Sequence, residues 1–121
     1  MKKILISLIS LIAIAVVPAL SFSPVYADSM QDLIAEGKEL SFNRQKGNCL
    51  SCHIIEDGLM PGTHGPPLIF MQRRFPDKGK LRARIYDPTA ANPNTMMPPF
   101  GLHGILTDSE IDAITEYIFT L

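Results

Sequence analysis

The chain has 121 residues and a formal net charge of −1 at pH 7, with two cysteines and no tryptophan. This length allows one small domain, and a domain of that size buries only a limited core. The mildly acidic balance argues against nucleic acid as a partner, because proteins that bind nucleic acid usually carry a basic surface.

A secretory signal peptide is predicted at residues 1–27. Two lysines precede an apolar stretch over residues 4–20, and small residues that a signal peptidase can recognise follow close to Ala27. A retained membrane anchor is the alternative, because the apolar stretch approaches the length that spans a bilayer. Prolines and serines interrupt the stretch, so we favour cleavage after Ala27. The mature domain, residues 28–121, is then expected in the periplasm.

The first helix is predicted from Ser29 to Leu40, with Ser29 as its N-cap. Leu33, Ile34, Gly37 and Leu40 fall on one stripe at helical spacing. A glycine in the middle of a helix often marks the close approach of another helix. The polar residues that follow this helix are predicted to form a turn.

Both cysteines lie in the run Cys49-Leu50-Ser51-Cys52-His53. A C-x-x-C-H run is typical of covalent haem attachment. Residues three apart share one face of a helical turn, so both sulfurs can reach one porphyrin. His53 is then placed to bind the iron from one side. The motif therefore predicts one haem c, held by Cys49 and Cys52, with His53 as an iron ligand.

Other interpretations of the two cysteines explain less of the sequence. A thioredoxin-like redox pair needs a strand followed by a helix, and residues 40–60 show no such pattern. A zinc site needs further ligands, whereas His64 and His103 lie at irregular spacing. A plain disulfide leaves His53 unexplained.

The residues after the motif are rich in glycine and proline and predict a loop, Gly58 to Pro67, of the kind that surrounds a prosthetic group. An iron-bound histidine needs an acceptor for its second ring nitrogen, and a backbone carbonyl can serve. We predict that the Pro66 carbonyl is this acceptor and that Leu68 forms an apolar wall against the porphyrin. A turn that is merely stiffened by proline is the alternative.

Residues 68–86 predict a helix that is interrupted near Pro76. The segment from Arg73 to Arg84 holds six of the eleven lysine and arginine residues of the chain. Such a charge run is usually a solvated face. It could also steer an acidic partner, or Arg82 or Arg84 could pair with the haem propionates.

Residues 87–101 contain several prolines and predict an irregular loop. Met96 and Met97 lie near its centre. A thioether is a suitable sixth ligand for haem iron and raises its reduction potential. Packing in the core is the alternative role for both methionines, and His64 or His103 is the alternative sixth ligand.

A capping box at Thr107 and Glu110 predicts the start of a last helix that runs to Leu121. Its apolar stripe consists of Ile111, Ile114, Tyr117, Ile118 and Leu121. We expect this helix to cross the first one near Gly37, with Tyr117 or Ile114 at the contact.

The order of these elements, with the C-x-x-C-H motif, the G-P-x-L loop and the methionine loop, resembles the class I cytochromes c over residues 28–121. The resemblance implies an all-α fold in which helices surround one covalently bound haem. The spacing between Gly37 and Cys49 is longer than in the shortest members and implies a small insertion near residues 41–45.

Two blocks are more particular than the haem motif. Residues 81–87, L-R-A-R-I-Y-D, and residues 97–101, M-P-P-F-G, resemble the SoxX family, the small haem subunits of SoxAX complexes in bacterial thiosulfate oxidation. Aligned on the second block, Met97 takes the axial position and Met96 is the reserve ligand.

This resemblance implies three partners: a SoxA-like cytochrome subunit in a heterodimer, the SoxYZ carrier protein, and a soluble cytochrome c as electron acceptor. It implies electron transfer within a probable L-cysteine S-thiosulfotransferase, with no bond-making step in this chain. The alternative is a free-standing periplasmic monohaem cytochrome c that serves a respiratory chain. A haem sensor with an open sixth site would require that Met97 does not bind iron.

Overall fold

The computed structural model describes residues 25–121, with side chains from Ser29 onward. All regular elements in this part of the chain are helical, which confirms the all-α fold. The helices are α1 (Val25–Phe42), α2 (Met71–Arg74), α3 (Lys78–Tyr86) and α4 (Asp108–Phe119), with short 3₁₀ turns at Cys49–Ser51 and Pro88–Ala90.

The predicted signal peptide lies, apart from its last three residues, outside the part of the chain that the structure describes. None of the described helices is long and apolar enough to cross a membrane.

Helix α1 is longer than predicted at both ends. It begins at Val25, so the predicted N-cap at Ser29 is wrong. No proline or glycine stands between Val25 and Ser29 to stop the helix from starting earlier. At the other end the helix continues to Phe42, and the hydroxyl of Ser41 donates to the carbonyl of Gly37 at 2.7 Å.

Helices α1 and α4 pack tightly at Gly37, as the sequence predicts. A Cβ atom on Gly37 would lie 1.9 Å from the carbonyl oxygen of Ala113. The predicted contact residues were Tyr117 or Ile114, but the closest residue is Ala113, with the Ile114 nitrogen next. A glycine opposite an alanine lets the two helix backbones approach more closely than large side chains would allow.

The helix predicted over residues 68–86 is two helices, α2 and α3, separated at Pro76 as expected. It also starts later than predicted, because Phe70 adopts a left-handed backbone with φ 53°. Helix α3 then begins at an Asp77 N-cap, whose carboxylate accepts a hydrogen bond from the Gly79 N–H at 2.9 Å.

The apolar stripe of α4 forms the centre of the core. Ile111, Ile114, Tyr117 and Ile118 are buried there, whereas Leu121 is half-buried because the helix ends at Phe119. Further buried side chains from the rest of the described chain complete the core: Ile55, Leu68, Met71, Leu81, Ile85, Phe100 and Leu106.

The predicted capping box of α4 is confirmed. The Glu110 N–H donates to the Thr107 hydroxyl, and the Thr107 N–H donates to the Glu110 carboxylate at 2.9 Å. Lys46, from the turn after α1, makes an ion pair with the same carboxylate at 2.7 Å. These contacts hold the pKa of Glu110 below its ordinary value of 4.5, with Lys46 as the largest cause.

We expect Glu110→Gln to change how stability depends on pH. Because the pKa is lower in the folded chain, the carboxylate stabilises the fold above the unfolded pKa, and this contribution is lost as the pH falls through the folded pKa. The variant should melt a few degrees below wild type near neutral pH, and the difference should shrink in acid. Thermal melts across the acid range would test this. Glu56→Gln, at an exposed glutamate, is the control and should melt close to wild type near neutral pH.

Candidate haem site

The C-x-x-C-H motif folds as a tight turn on the surface of one large cavity. A 3₁₀ turn spans Cys49–Ser51, and the carbonyl of Cys49 accepts hydrogen bonds from the N–H groups of Cys52 at 3.2 Å and His53 at 2.9 Å. The two cysteines are not joined in a disulfide. Both cysteines and His53 line this cavity.

The cavity has a volume of about 760 Å³ and reaches from the haem motif to α4. This is within the usual range for pockets that hold a cofactor. It is lined mainly by apolar side chains, together with thiols, imidazoles, thioethers and cations. The polar and sulfur-containing members that bear on haem binding are Arg44, Lys46, Cys49, Cys52, His53, His64, Arg74, Arg84, Met96 and Met97.

His53 is held in place by the loop that follows it. Its Nδ1 atom lies 2.7 Å from the carbonyl oxygen of Pro66, so this carbonyl can accept the Nδ1 proton. Gly65 lies flat against the imidazole, and a Cβ atom there would be 2.4 Å from the ring carbon Cε1. With Nδ1 protonated, the other ring nitrogen, Nε2, keeps its lone pair for a metal.

Leu68 and Pro66 both line the cavity. Leu68 is buried, and its N–H donates to the carbonyl of Ile54 at 2.9 Å, which ties the loop back to the chain just beyond His53. The Gly65 N–H likewise donates to the carbonyl of Cys52 at 2.8 Å. Two backbone hydrogen bonds thus fix the loop that contacts the imidazole.

The methionine loop brings two sulfur side chains to the cavity. Met97 is half-buried and packs against the core, whereas Met96 is 79% exposed. The Met97 N–H donates to the hydroxyl of Thr95 at 3.2 Å. Of the remaining histidines, His64 lines the cavity and His103 does not. Burial therefore favours Met97 over Met96 as the sulfur that faces a bound group.

A contact between α3 and the methionine loop supports this arrangement. The carbonyl of Tyr86, at the end of α3, accepts hydrogen bonds from the N–H groups of Gly101 at 3.0 Å and Leu102 at 3.3 Å. A Cβ atom on Gly101 would lie 2.0 Å from the Tyr86 ring, so only glycine allows this contact. The loop that carries Met97 is therefore closed against α3.

The basic residues of α3 divide between the cavity and the outside. Arg84 lines the cavity, but Arg82 does not. Arg82 instead pairs with Asp112 at 2.5 Å and Asp108 at 2.8 Å, and these carboxylates raise its pKa. Residues two apart on a helix point in different directions, so of these two arginines it is Arg84 that lies where it could contact a haem propionate.

Three other cations line the cavity and were not predicted to be part of it. Arg44 and Lys46 come from the turn before the haem motif, and Arg74 comes from α2. Arg74 also donates to the carbonyl of Pro67 at 2.7 Å. No local pattern separates these residues from ordinary surface cations, because only the folded chain brings them to one side.

Burial raises the pKa of the Cys49 thiol to about 11. A redox-active cysteine of the thioredoxin type needs a lowered pKa, so that the thiolate is present near neutral pH. Cys49 has the opposite environment, and no strand accompanies it in residues 25–121. The redox-pair interpretation of the motif therefore finds no support.

Together these residues fit haem c. Two thiols on one turn can form two thioether bonds, an oriented imidazole can bind iron, and an apolar cavity excludes water from the ring. The close contact of Gly65 with the imidazole and the hydrogen bond to Pro66 are the features that fix the imidazole.

Comparison with known proteins gives two matches. The family model described as Cytochrome c matches residues 34–121, which include the haem motif and both methionines. An uncharacterized lipoprotein of Aquifex aeolicus (strain VF5) is 36% identical over 75 residues. This match covers 61% of the chain but only 36% of the Aquifex protein, so the matched part of the chain corresponds to about a third of that relative.

Proposed function

Because the chain belongs to the cytochrome c family, whose members carry covalent haem c and transfer electrons, we propose that it is a SoxX-like electron-transfer subunit of a SoxAX complex. Cys49 and Cys52 would hold the haem, and His53 and Met97 would bind its iron. Haem c, when bound, supplies a one-electron couple between ferric and ferrous iron. Pro66 would orient His53, and Leu68 would keep water from the ring.

The observation that supports the SoxX-like role is the contact between the two sequence blocks that resemble that family. Residues 81–87 form most of α3 and its C-cap, and residues 97–101 form the last part of the methionine loop, residues 87–101. The backbone of Tyr86 accepts two hydrogen bonds from the end of the loop, and Gly101 packs on the Tyr86 ring. The two blocks thus act as one unit that holds Met97.

In the proposed reaction, thiosulfate and a carrier thiol form a new sulfur–sulfur bond. Carrier–SH and S₂O₃²⁻ give carrier–S–S–SO₃⁻, one proton and two electrons. The chain has two cysteines, and haem attachment would use both, so the sulfur chemistry would belong to the SoxA-like subunit and the SoxYZ carrier. This chain would accept the electrons one at a time and pass them to a soluble cytochrome c, in the periplasm.

Native purification of the tagged chain from cells that are oxidising thiosulfate would test the proposal. A gel stained for haem should show a second haem-bearing polypeptide in fixed ratio. Thiosulfate with the carrier protein should reduce the haem of this chain only when that polypeptide is present. The same cells grown without thiosulfate serve as the control for the specificity of the pairing.

A single haem-bearing band that general respiratory donors reduce would contradict the SoxAX role. It would support the alternative, a free-standing periplasmic cytochrome c. Both results are consistent with membership of the cytochrome c family, because a SoxX-like subunit and a free-standing carrier would each carry haem c.

The choice of Met97 as the second iron ligand gives a direct prediction. Met97→Ala should lower the reduction potential by roughly 0.1–0.2 V, a fraction of the range of about 0.8 V that axial ligation spans. It should also remove the Met-to-iron charge-transfer band from the oxidised spectrum. Potentiometric titration and absorption spectroscopy would measure the two effects.

Met96→Ala is the matched control, because Met96 is the neighbouring methionine and is mostly exposed. Its potential and spectrum should stay close to wild type. If Met96→Ala loses the band and Met97→Ala keeps it, the ligand assignment is reversed.

A further inference from the structure

A second surface lies beside the haem site, on the loop and helix that follow His53. Six residues line one shallow groove there: Pro66, Pro67, Ile69, Phe70, Arg73 and Arg74. We call this groove the Phe70 surface. Its centre is apolar and exposed, since Phe70 is 64% exposed and Ile69 is 47% exposed. Large apolar side chains that share an exposed groove mark an interaction site more often than scattered ones do.

The backbone of Phe70 also adopts a conformation that suits glycine better than phenylalanine. Its φ of 53° lies in the left-handed region, which a bulky side chain rarely adopts and which glycine adopts freely. Its carbonyl accepts the N–H groups of Arg73 at 3.0 Å and Arg74 at 3.1 Å, so this conformation is part of the start of α2. An exposed phenylalanine here strains the backbone and adds little to the core, and such strain often accompanies function.

The edge of the Phe70 surface is basic. Lys78 makes an ion pair with Glu116, and Arg82 pairs with Asp108 and Asp112. In contrast, Arg73 and Arg74 have no carboxylate within ion-pair distance in the described part of the chain. The positive charge at this edge is therefore not neutralised by the chain itself, although the chain as a whole is mildly acidic.

The Phe70 surface is connected to the haem site through its own residues. Pro66 lines the groove, and its carbonyl oxygen lies 2.7 Å from Nδ1 of His53. Arg74 lines both the groove and the haem cavity. A protein bound to the groove would thus lie one residue away from the imidazole, which suits a partner that exchanges electrons with this chain.

From these observations we infer that the Phe70 surface binds an acidic electron-transfer protein. Phe70 would insert into an apolar patch of the partner, and Arg73 would face its carboxylates. Apolar centres with charged rims are the usual design of such interfaces. The inference rests on electron transfer by this chain and is independent of the thiosulfate role.

The test uses the haem-loaded chain, labelled with ¹⁵N, and a flavodoxin as an acidic redox probe. Addition of the probe at low salt should shift the amide signals of Ile69, Phe70 and Arg73. Phe70→Gly should weaken binding roughly tenfold, as expected for a central aromatic anchor, while the thermal midpoint stays the same or rises. Arg73→Gln should weaken binding by roughly threefold and reduce its dependence on salt.

Met60→Gly is the matched control. Met60 is 89% exposed and has φ 56°, so its replacement by glycine relieves the same kind of backbone strain at another place. This variant should bind the probe as wild type does. It separates the loss of the phenyl ring from a general effect of glycine on the fold.

The inference would be overturned by amide shifts centred elsewhere, by equal binding of the probe to wild type and Phe70→Gly, or by no binding at low salt. A wild-type dimer that Phe70→Gly converts to a monomer would also overturn it, because the groove would then hold a second copy of the chain. If the wild-type chain held no haem, the proposed electron-transfer function itself would fail. An absorption spectrum of the starting material would identify this case before any binding is measured.

Discussion

The double variant Cys49→Ala with Cys52→Ala is expected to leave little folded protein. It cannot keep haem covalently, and the cavity of about 760 Å³ would then lack its occupant. At roughly 24 cal/mol per Å³ of empty apolar cavity, a quarter of that volume left dry would cost about 4–5 kcal/mol. This is close to the whole stability of a small domain. Far-UV circular dichroism and thermal melts of the purified variant would measure the loss.

Ser51→Ala is the control for this experiment. Ser51 lies between the two cysteines and is exposed, with its hydroxyl donating to the carbonyl of Asn48 at 2.8 Å. Its loss removes a local hydrogen bond but no bond to haem, so the variant should stay folded and coloured. A stable, cooperatively melting double variant would show that the haem is not needed to complete the core.

Gly37→Ala should destabilise the chain by on the order of 3 kcal/mol. Alanine normally stabilises a helix interior by about 1 kcal/mol relative to glycine. A loss of stability in this variant would therefore report a clash with α4 and not a change in helix propensity. Here the added Cβ atom would lie 1.9 Å from the carbonyl oxygen of Ala113, and this oxygen belongs to the backbone of α4. The helices must therefore move apart. Chemical denaturation of the haem-loaded variant would measure the change.

Glu36→Ala is the control, since Glu36 is the exposed neighbour of Gly37 in the same helix. It should change the free energy of unfolding by less than about 0.5 kcal/mol. A Gly37→Ala variant that is as stable as wild type would mean that α1 and α4 do not meet at this glycine.

Local chemistry made part of the fold predictable. The capping box needs only Thr107 and Glu110, three residues apart, and a proline inside a helical pattern, such as Pro76, interrupts the helix. The glycine in α1 likewise marked the contact with α4. The capping box and the proline break depend on residues close together in sequence, and the contact at Gly37 depends on the small size of one residue. Each can therefore be predicted from the sequence.

Features that depend on distant parts of the chain were not predictable. Phe70 delays the start of the expected helix, and the next residue, Met71, donates its N–H to the carbonyl of Leu121 at 3.1 Å. Arg82 turns away from the cavity because Asp108 and Asp112 in α4 pair with it. No pattern within residues 68–86 contains information about these partners.

The packing of α1 on α4 has a consequence for the order in which the chain folds. The two helices lie at opposite ends of the described residues, and the haem motif lies between them. Contacts between residues so far apart in sequence close a long loop and form slowly. The segment from Cys49 to His53 is thus expected to remain accessible to haem until α4 docks. Attachment of haem would come first on the folding pathway, and docking of the two helices would come last.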